Sequence, residues 1–144
     1  PDLDVWRATL QWMLPRTHLL KVSDEDLGLL YPNRSIEQFA ADALAAGTPL
    51  VVVTRGGEGA IGFTARGSVA TPPVKVQVAD TVGAGDTFQA ALLTWAAETG
   101  RLTPAGLAAI DNAALAEALA FAARAAAITC SRRGADLPRR AELG

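Results

Sequence analysis

Apolar and polar positions change period several times along the chain, and each change marks an element. Between residues 2 and 14, Leu3, Trp6, Leu10 and Met13 recur at helical spacing behind Asp2, a plausible cap, and Pro15 ends the pattern. Leu19-Leu20-Lys21-Val22 reads as a short buried strand. Ser23-Asp24-Glu25-Asp26 then caps a short helix reaching Leu30 or Tyr31. From Ser35 to Ala46 the spacing predicts an amphipathic helix with Ile36, Phe39, Ala40, Ala43 and Leu44 inward and Gly47 just past its end. Leu50-Val51-Val52-Val53 is apolar without alternation and mostly β-branched, the pattern of a parallel strand covered on both faces. Strand, helix and strand in this succession predict an α/β layer.

Farther along, Ile61 to Ala65 and Gly67 to Ala70 predict a hairpin around Arg66-Gly67. Pro72-Pro73 separates it from a stretch in which Val74, Val76 and Val78 alternate with Lys75 and Gln77, the period of a half-buried strand. Thr87 to Glu98 is a run of helix formers with Phe88, Ala91, Leu92 and Trp95 on one face, stopped by Gly100. Thr103-Pro104 caps a short helix, and Asp111 or Asn112 starts an alanine-rich helix running to about Thr129.

Composition narrows the class. A chain of 144 residues is one domain or less, and with half its residues apolar it can bury a core. A net charge of −2 without a basic stripe argues against nucleic acid as a partner. Cys130 is the single cysteine, so no internal disulfide forms, a reducing cytoplasm fits, and a buried inert thiol is its ordinary reading. His18 stands alone in an apolar run and is expected to pack, which leaves no histidine metal site. The alanine-rich stretch from Ala113 to Cys130 carries Glu117 and Arg124 and is expected to lack the hydrophobic length for a bilayer, which makes it a packing helix with no membrane partner.

The chemistry concentrates in Asp80-Thr81-Val82-Gly83-Ala84-Gly85-Asp86-Thr87-Phe88. Gly83-Ala84-Gly85-Asp86 lies between the predicted strand and helix, a loop that opens the helix. Its free N–H groups and the positive end of the helix dipole suit an anion. Glycines on both sides of Ala84 permit positive φ and close approach of a ligand. Asp86 sets a carboxylate beside that site; the structural alternative makes it an ordinary N-terminal cap. A second glycine cluster, Thr54-Arg55-Gly56-Gly57-Glu58-Gly59, follows the buried strand. Gly57 to Gly62 formally matches a dinucleotide fingerprint, but that pattern must open a helix, and here it leads into the hairpin.

The nonapeptide, continued by Gln89-Ala90-Ala91-Leu92-Leu93, resembles the C-terminal signature of the ribokinase-like (PfkB-type) sugar kinases. Thr54 to Gly59 is similar to that family's Thr-x-Gly-x-x-Gly segment, and Gly134-Ala135 followed by Pro138 to its C-terminal end. The resemblance implies an α/β fold, a ribokinase-like three-layer α/β/α arrangement with a mostly parallel central sheet plus a β-hairpin. It further implies that residues 1–144 are the C-terminal half of one kinase domain, with the sugar-binding and lid half absent. Asp86 would be the base that takes the sugar hydroxyl proton, with Gly83, Ala84 and Gly85 as the anion hole. Thr54, Gly56, Gly57, Gly59, Gly85 and Ser23 would bind ATP.

Ser23 and Asp26 stand where family members carry Asn-x-x-Glu, so Asp26 would act on Mg²⁺ through phosphate, plain helix capping being the other reading. Asp80 and Val82 would offer backbone carbonyls to a monovalent cation such as K⁺. The Asn often found in the last helix is replaced by Ala123, so its adenine contact is missing. Arg132 and Arg133 read as a solvated helix end. Lys21-Val22-Ser23-Asp24 and Arg133-Gly134-Ala135 point to fructose as acceptor. Ribose, ketodeoxygluconate, tagatose 6-phosphate or a nucleoside remain alternatives, as does a catalytically silent nucleotide-binding fragment. The partners implied are ATP and a small sugar, with a homodimer left open.

Overall fold

The computed structural model describes residues 2–144. Helix α1 spans Leu3–Met13, with the Asp2 carboxylate accepting from the Asp4 and Val5 N–H groups, and a 3-10 turn through Pro15 follows. Strand β1 is Leu19–Ser23, and helix α2, Asp24–Leu30, starts where the Ser23 hydroxyl accepts from the Asp26 N–H. Helix α3, Ile36–Ala46, opens with a reciprocal Ser35/Gln38 capping box and closes on Gly47 at φ +113°. Strands β2, Leu50–Thr54, β3, Ala60–Thr64, and β4, Gly67–Thr71, follow, and then helices α4, Ala84–Glu98, α5, Pro104–Ala108, and α6, Asn112–Cys130.

The sheet runs β1-β2-β3-β4. β1 is parallel to β2, with Leu19 opposite Leu50 and Ser23 opposite Thr54; β3 and β4 continue as an antiparallel hairpin. Side chains alternate across a strand, which explains the unbroken apolar run of β2. Val51 and Val53 enter one core with Leu14, Leu27, Phe39, Ala40 and Ala43, whereas Leu50 and Val52 enter a second core with Phe88, Leu92, Leu115 and Leu119. Helices therefore cover both faces. Gly62 lies on the α6 face, where an added Cβ would fall 2.8 Å from a Leu115 methyl group, so that helix sits directly on the hairpin.

Four expectations are corrected. Val74 to Val78 form no strand: they follow Pro72-Pro73, which offers no backbone donors, and leave the sheet with Val74, Val76 and Val78 at 40, 37 and 61 % exposure. In α1 only Leu10 of the predicted face packs against the core; Trp6 and Met13 stay more than 40 % exposed, because the helix touches the body at one edge. His18 is exposed just ahead of β1 rather than packed. Finally, α6 is by length and composition apolar enough to cross a bilayer despite Glu117 and Arg124, but half of it is buried against its neighbours, as in a core helix.

Candidate functional site

The first part of the site is the turn after β2. Gly56–Glu58 form one 3-10 turn, closed by the Gly59 N–H on the Gly56 carbonyl (3.2 Å) and the Arg55 N–H on the Gly59 carbonyl (2.8 Å). Gly59 adopts φ +89°, and a Cβ there would fall 2.0 Å from the Thr71 carbonyl oxygen, so the fold itself demands glycine. At Gly56 and Gly57 a Cβ would meet nothing within 4 Å. Those two glycines leave open space at the end of the strand.

The second part is the start of α4, which begins at Ala84 and includes most of the predicted loop in its first turn. Gly83 is the N-cap at φ +80° and has no side chain to cap with. Its carbonyl accepts from both the N–H and the hydroxyl of Thr87, each at 2.9 Å, and the Thr87 hydroxyl meets the buried Thr129 hydroxyl at 2.9 Å. The Ala84 N–H is engaged by the Thr81 carbonyl (3.2 Å), which removes it from the expected anion hole. The Gly85 and Asp86 N–H groups carry no hydrogen bond among the described residues. Gly85 does not take the positive φ expected of it. Its lack of a side chain serves a close approach instead, since a Cβ there would lie 3.0 Å from Lys21 Nζ.

Asp86 occupies the third helical position, exposed, and makes neither a hydrogen bond nor an ion pair among the described residues. The capping alternative thus has no bond to support it. Asp80 behaves otherwise. Its carboxylate accepts from the Val82 N–H (3.1 Å) and from the Gly134 N–H (2.9 Å), clipping the loop to the turn beyond α6. These backbone donors, Val82 first, hold its carboxyl below the usual range.

A cleft of about 310 Å³ joins the two parts. Thr54, Gly56, Gly57 and Gly59 line it together with Ala84 and Gly85. The rest of the lining is mostly apolar: Val74, Val76, Val78 and Phe88, with Ala123, Ala126, Ala127 and Cys130 from α6. An apolar slot ending in open backbone N–H groups and a helix N-terminus suits a flat ring carrying a phosphate chain. Cys130 is only partly buried; burial, then the nearby Asp80 charge, pushes its thiol up. Arg132 is not simply solvated, since it pairs with Asp136 and Glu142 of the C-terminal tail.

Ser23 and Asp26 lie outside the cleft lining. The Ser23 hydroxyl donates to the Asp26 carboxylate (2.6 Å) and accepts from the Asp26 N–H (3.0 Å), so they serve the start of α2. Among the described residues no three His, Cys, Asp or Glu side chains gather as a metal site. Sequence reasoning missed the valine wall and the Ala126/Ala127 wall. Their signal was present, since the 74–78 alternation that suggested a strand puts every second residue toward the cleft.

The sequence profile of the pfkB family carbohydrate kinases matches residues 2–142. A fructokinase from Rhizobium leguminosarum bv. trifolii is 40% identical over 108 residues, 75% of this chain and 33% of that protein. Among solved structures, the aminoimidazole riboside kinase from Salmonella enterica, complexed with aminoimidazole riboside and an ATP analog, superposes with a TM-score of 0.79. It is 26% identical, over 99% of this chain and 46% of that one. The fructokinase from Vibrio cholerae with fructose, ADP and calcium bound has a TM-score of 0.76 and 29% identity, over 95% of this chain and 43% of that one. The chain spans a third of the curated relative's length and under half of either structure. The fold is ribokinase-like.

Proposed function

The chain belongs to the pfkB family of carbohydrate kinases, and from that premise we propose that it is the nucleotide-binding and catalytic part of an ATP-dependent sugar kinase acting on fructose. One observation carries the reading. The glycine turn after β2 and the start of α4, with its unbonded N–H groups, line a single apolar cleft, and an uncommitted carboxylate, Asp86, lies in the same helical turn. The sugar-binding and lid portion belongs to the rest of a longer kinase domain, in keeping with the third of the relative's length that this chain spans.

Phosphoryl transfer asks a protein for alignment, for neutralisation of charge around the moving group, and for a base. The valine and alanine walls hold the adenine; the replacement of the usual Asn by Ala123 leaves shape and burial to recognise it. The phosphate chain passes Gly56 and Gly57 toward α4. The Gly85 and Asp86 N–H groups and the helix dipole receive the transferring phosphoryl. Asp86 takes the proton of the sugar hydroxyl as its oxygen attacks the terminal phosphorus, and ADP leaves.

Mg²⁺ supplies charge neutralisation on the phosphate oxygens. Such a metal would arrive on the nucleotide; Asp26 and Ser23, the residues the resemblance offers for it, lie outside the cleft lining and bond to each other, so they are not placed to hold it. The Asp80 and Val82 carbonyls accept no hydrogen bond among the described residues and suit K⁺. A nucleoside-like acceptor is the second reading, favoured by the likeness to the aminoimidazole riboside kinase. The test is sugar-dependent ADP release by the full-length chain with fructose, ribose and a nucleoside. Fructose should give the highest kcat/KM; nucleotide binding without turnover on any acceptor would overturn the kinase reading.

A further inference from the structure

The turn after β2 carries a charged pair among its glycines. Arg55 and Glu58 are interleaved with Gly56, Gly57 and Gly59, and Gly56 and Gly59 take positive φ. Glycine leaves a chain the widest choice of conformations, so something must select one. Arg55 closes the turn with its main chain: its N–H donates to the Gly59 carbonyl (2.8 Å) and its carbonyl accepts from the Glu58 N–H (2.8 Å). Its side chain then folds back over the same turn. Nη2 donates to the Glu58 carbonyl (3.1 Å), and Nη1 lies 3.7 Å from the Glu58 carboxylate. The Gly56 and Gly57 N–H groups carry no hydrogen bond among the described residues, so this clasp leaves them open.

Stability alone does not account for this arginine. The ion pair is long and its Glu58 side chain is mostly exposed, and such surface pairs contribute little. Arg55 Nε is shut off from solvent without a hydrogen-bond partner, and a buried donor left unmet costs the folded state. Neither Arg55 nor Glu58 lines the cleft, whereas Thr54, Gly56, Gly57 and Gly59 around them do. The arginine therefore reaches the cleft only through the backbone of the turn. It also offsets the one carboxylate of the turn, whose charge would otherwise repel a phosphate chain passing Gly56 and Gly57. Resting on the sugar-kinase reading above, we propose that Arg55 is a positioning residue of the nucleotide site, clasping the glycine turn in the one conformation that keeps Gly56 and Gly57 open to the phosphates. It touches no part of the nucleotide.

Calorimetry on the full-length chain tests this, with ATP and with adenosine, which has the ring but no phosphate. Arg55→Met keeps the aliphatic stem and removes the fork. It should weaken ATP by about tenfold, the loss expected of one hydrogen bond from a charged donor, and leave adenosine within about twofold. Arg55→Lys returns the charge without the fork and should recover part of the ATP affinity. Adding Glu58→Gln to Arg55→Met removes the uncompensated carboxylate and should also recover part. ATP affinity within about twofold of wild type in Arg55→Met, or equal weakening of ATP and adenosine, would overturn the proposal. Should Arg55→Met fail to fold, Arg55→Lys decides by the same comparison: it should weaken ATP more than adenosine, and equal effects would refute the clasp. The kinase reading fails separately, by absence of sugar-dependent ADP release in the wild type, which leaves the binding comparison intact. A Gly57→Val variant that loses ATP affinity while Arg55→Met keeps it would retain the phosphate path and strike the clasp; a wild type that binds no ATP would overturn both.

Discussion

The hydroxyl pair behind the glycine turn that opens α4 gives the sharpest stability prediction. Thr87 is 3 % exposed and Thr129 is fully buried. Each hydroxyl has one proton. Thr87 spends its own on the Gly83 carbonyl, so Thr129 must donate to Thr87, forming the chain Thr129, Thr87, Gly83. Thr129→Val removes one neutral hydrogen bond and leaves Thr87 satisfied, a cost of about 0.5–1.5 kcal/mol. Thr87→Val strands the Thr129 hydroxyl without a partner at zero exposure, about 1–3 kcal/mol, and takes from Gly83 one of its two bonds. In the double variant no buried hydroxyl is left unpaired, so its cost should fall short of the sum by about 1 kcal/mol. Denaturant unfolding of the full-length chain and its three variants measures the cycle, and kcat should fall with Thr87→Val because Gly83 sets the start of α4. A Thr129→Val cost above that of Thr87→Val, or strict additivity, would refute the bonding chain.

Gly57→Val should leave the melting temperature unchanged, since Gly57 takes no positive φ and its Cβ would meet open space, yet weaken ATP by at least about tenfold, or 1.4 kcal/mol; unchanged affinity by calorimetry would place the phosphates elsewhere. The Asp80 clip should respond to acid. Its carboxyl is held below the ordinary range, so its contribution is full above the unfolded value near 3.9 and is lost as pH falls through the lower folded value. The melting temperature gap between wild type and Asp80→Ala should therefore be flat above about pH 5 and begin to shrink as pH falls below about 4; a gap that stays flat through that fall would contradict the clip.

Much of this could be read from residue order because local signals agreed with packing. The Ser35/Gln38 box, Gly47, and the β-branched run of β2 each named their element, and the nonapeptide named the turn that opens α4. Pattern failed where environment decides. Alternation at Val74, Val76 and Val78 has the period of a half-buried strand, but these residues have no ladder partners and line the cleft while staying 40, 37 and 61 % exposed. Trp6 and Met13 fit a helical stripe, yet α1 meets the core only through Leu10. Ser23 and Asp26 stand at the positions of the family's Asn-x-x-Glu, with different residues, and bond to each other at the start of α2.

The central claim is that Asp86 is a base and not a cap, and one variant separates the two. Gly83 is the N-cap of α4, and Asp86 makes no bond within its turn among the described residues. Asp86→Asn therefore loses only a carboxylate beside the helix dipole, about 0.3–1 kcal/mol, or a melting shift of a few degrees at most. General-base catalysis typically contributes about 10²–10⁴-fold. In the full-length chain, with fructose and saturating ATP, kcat should fall by that range while ATP affinity holds or rises slightly. Near wild-type kcat in Asp86→Asn would contradict the assignment.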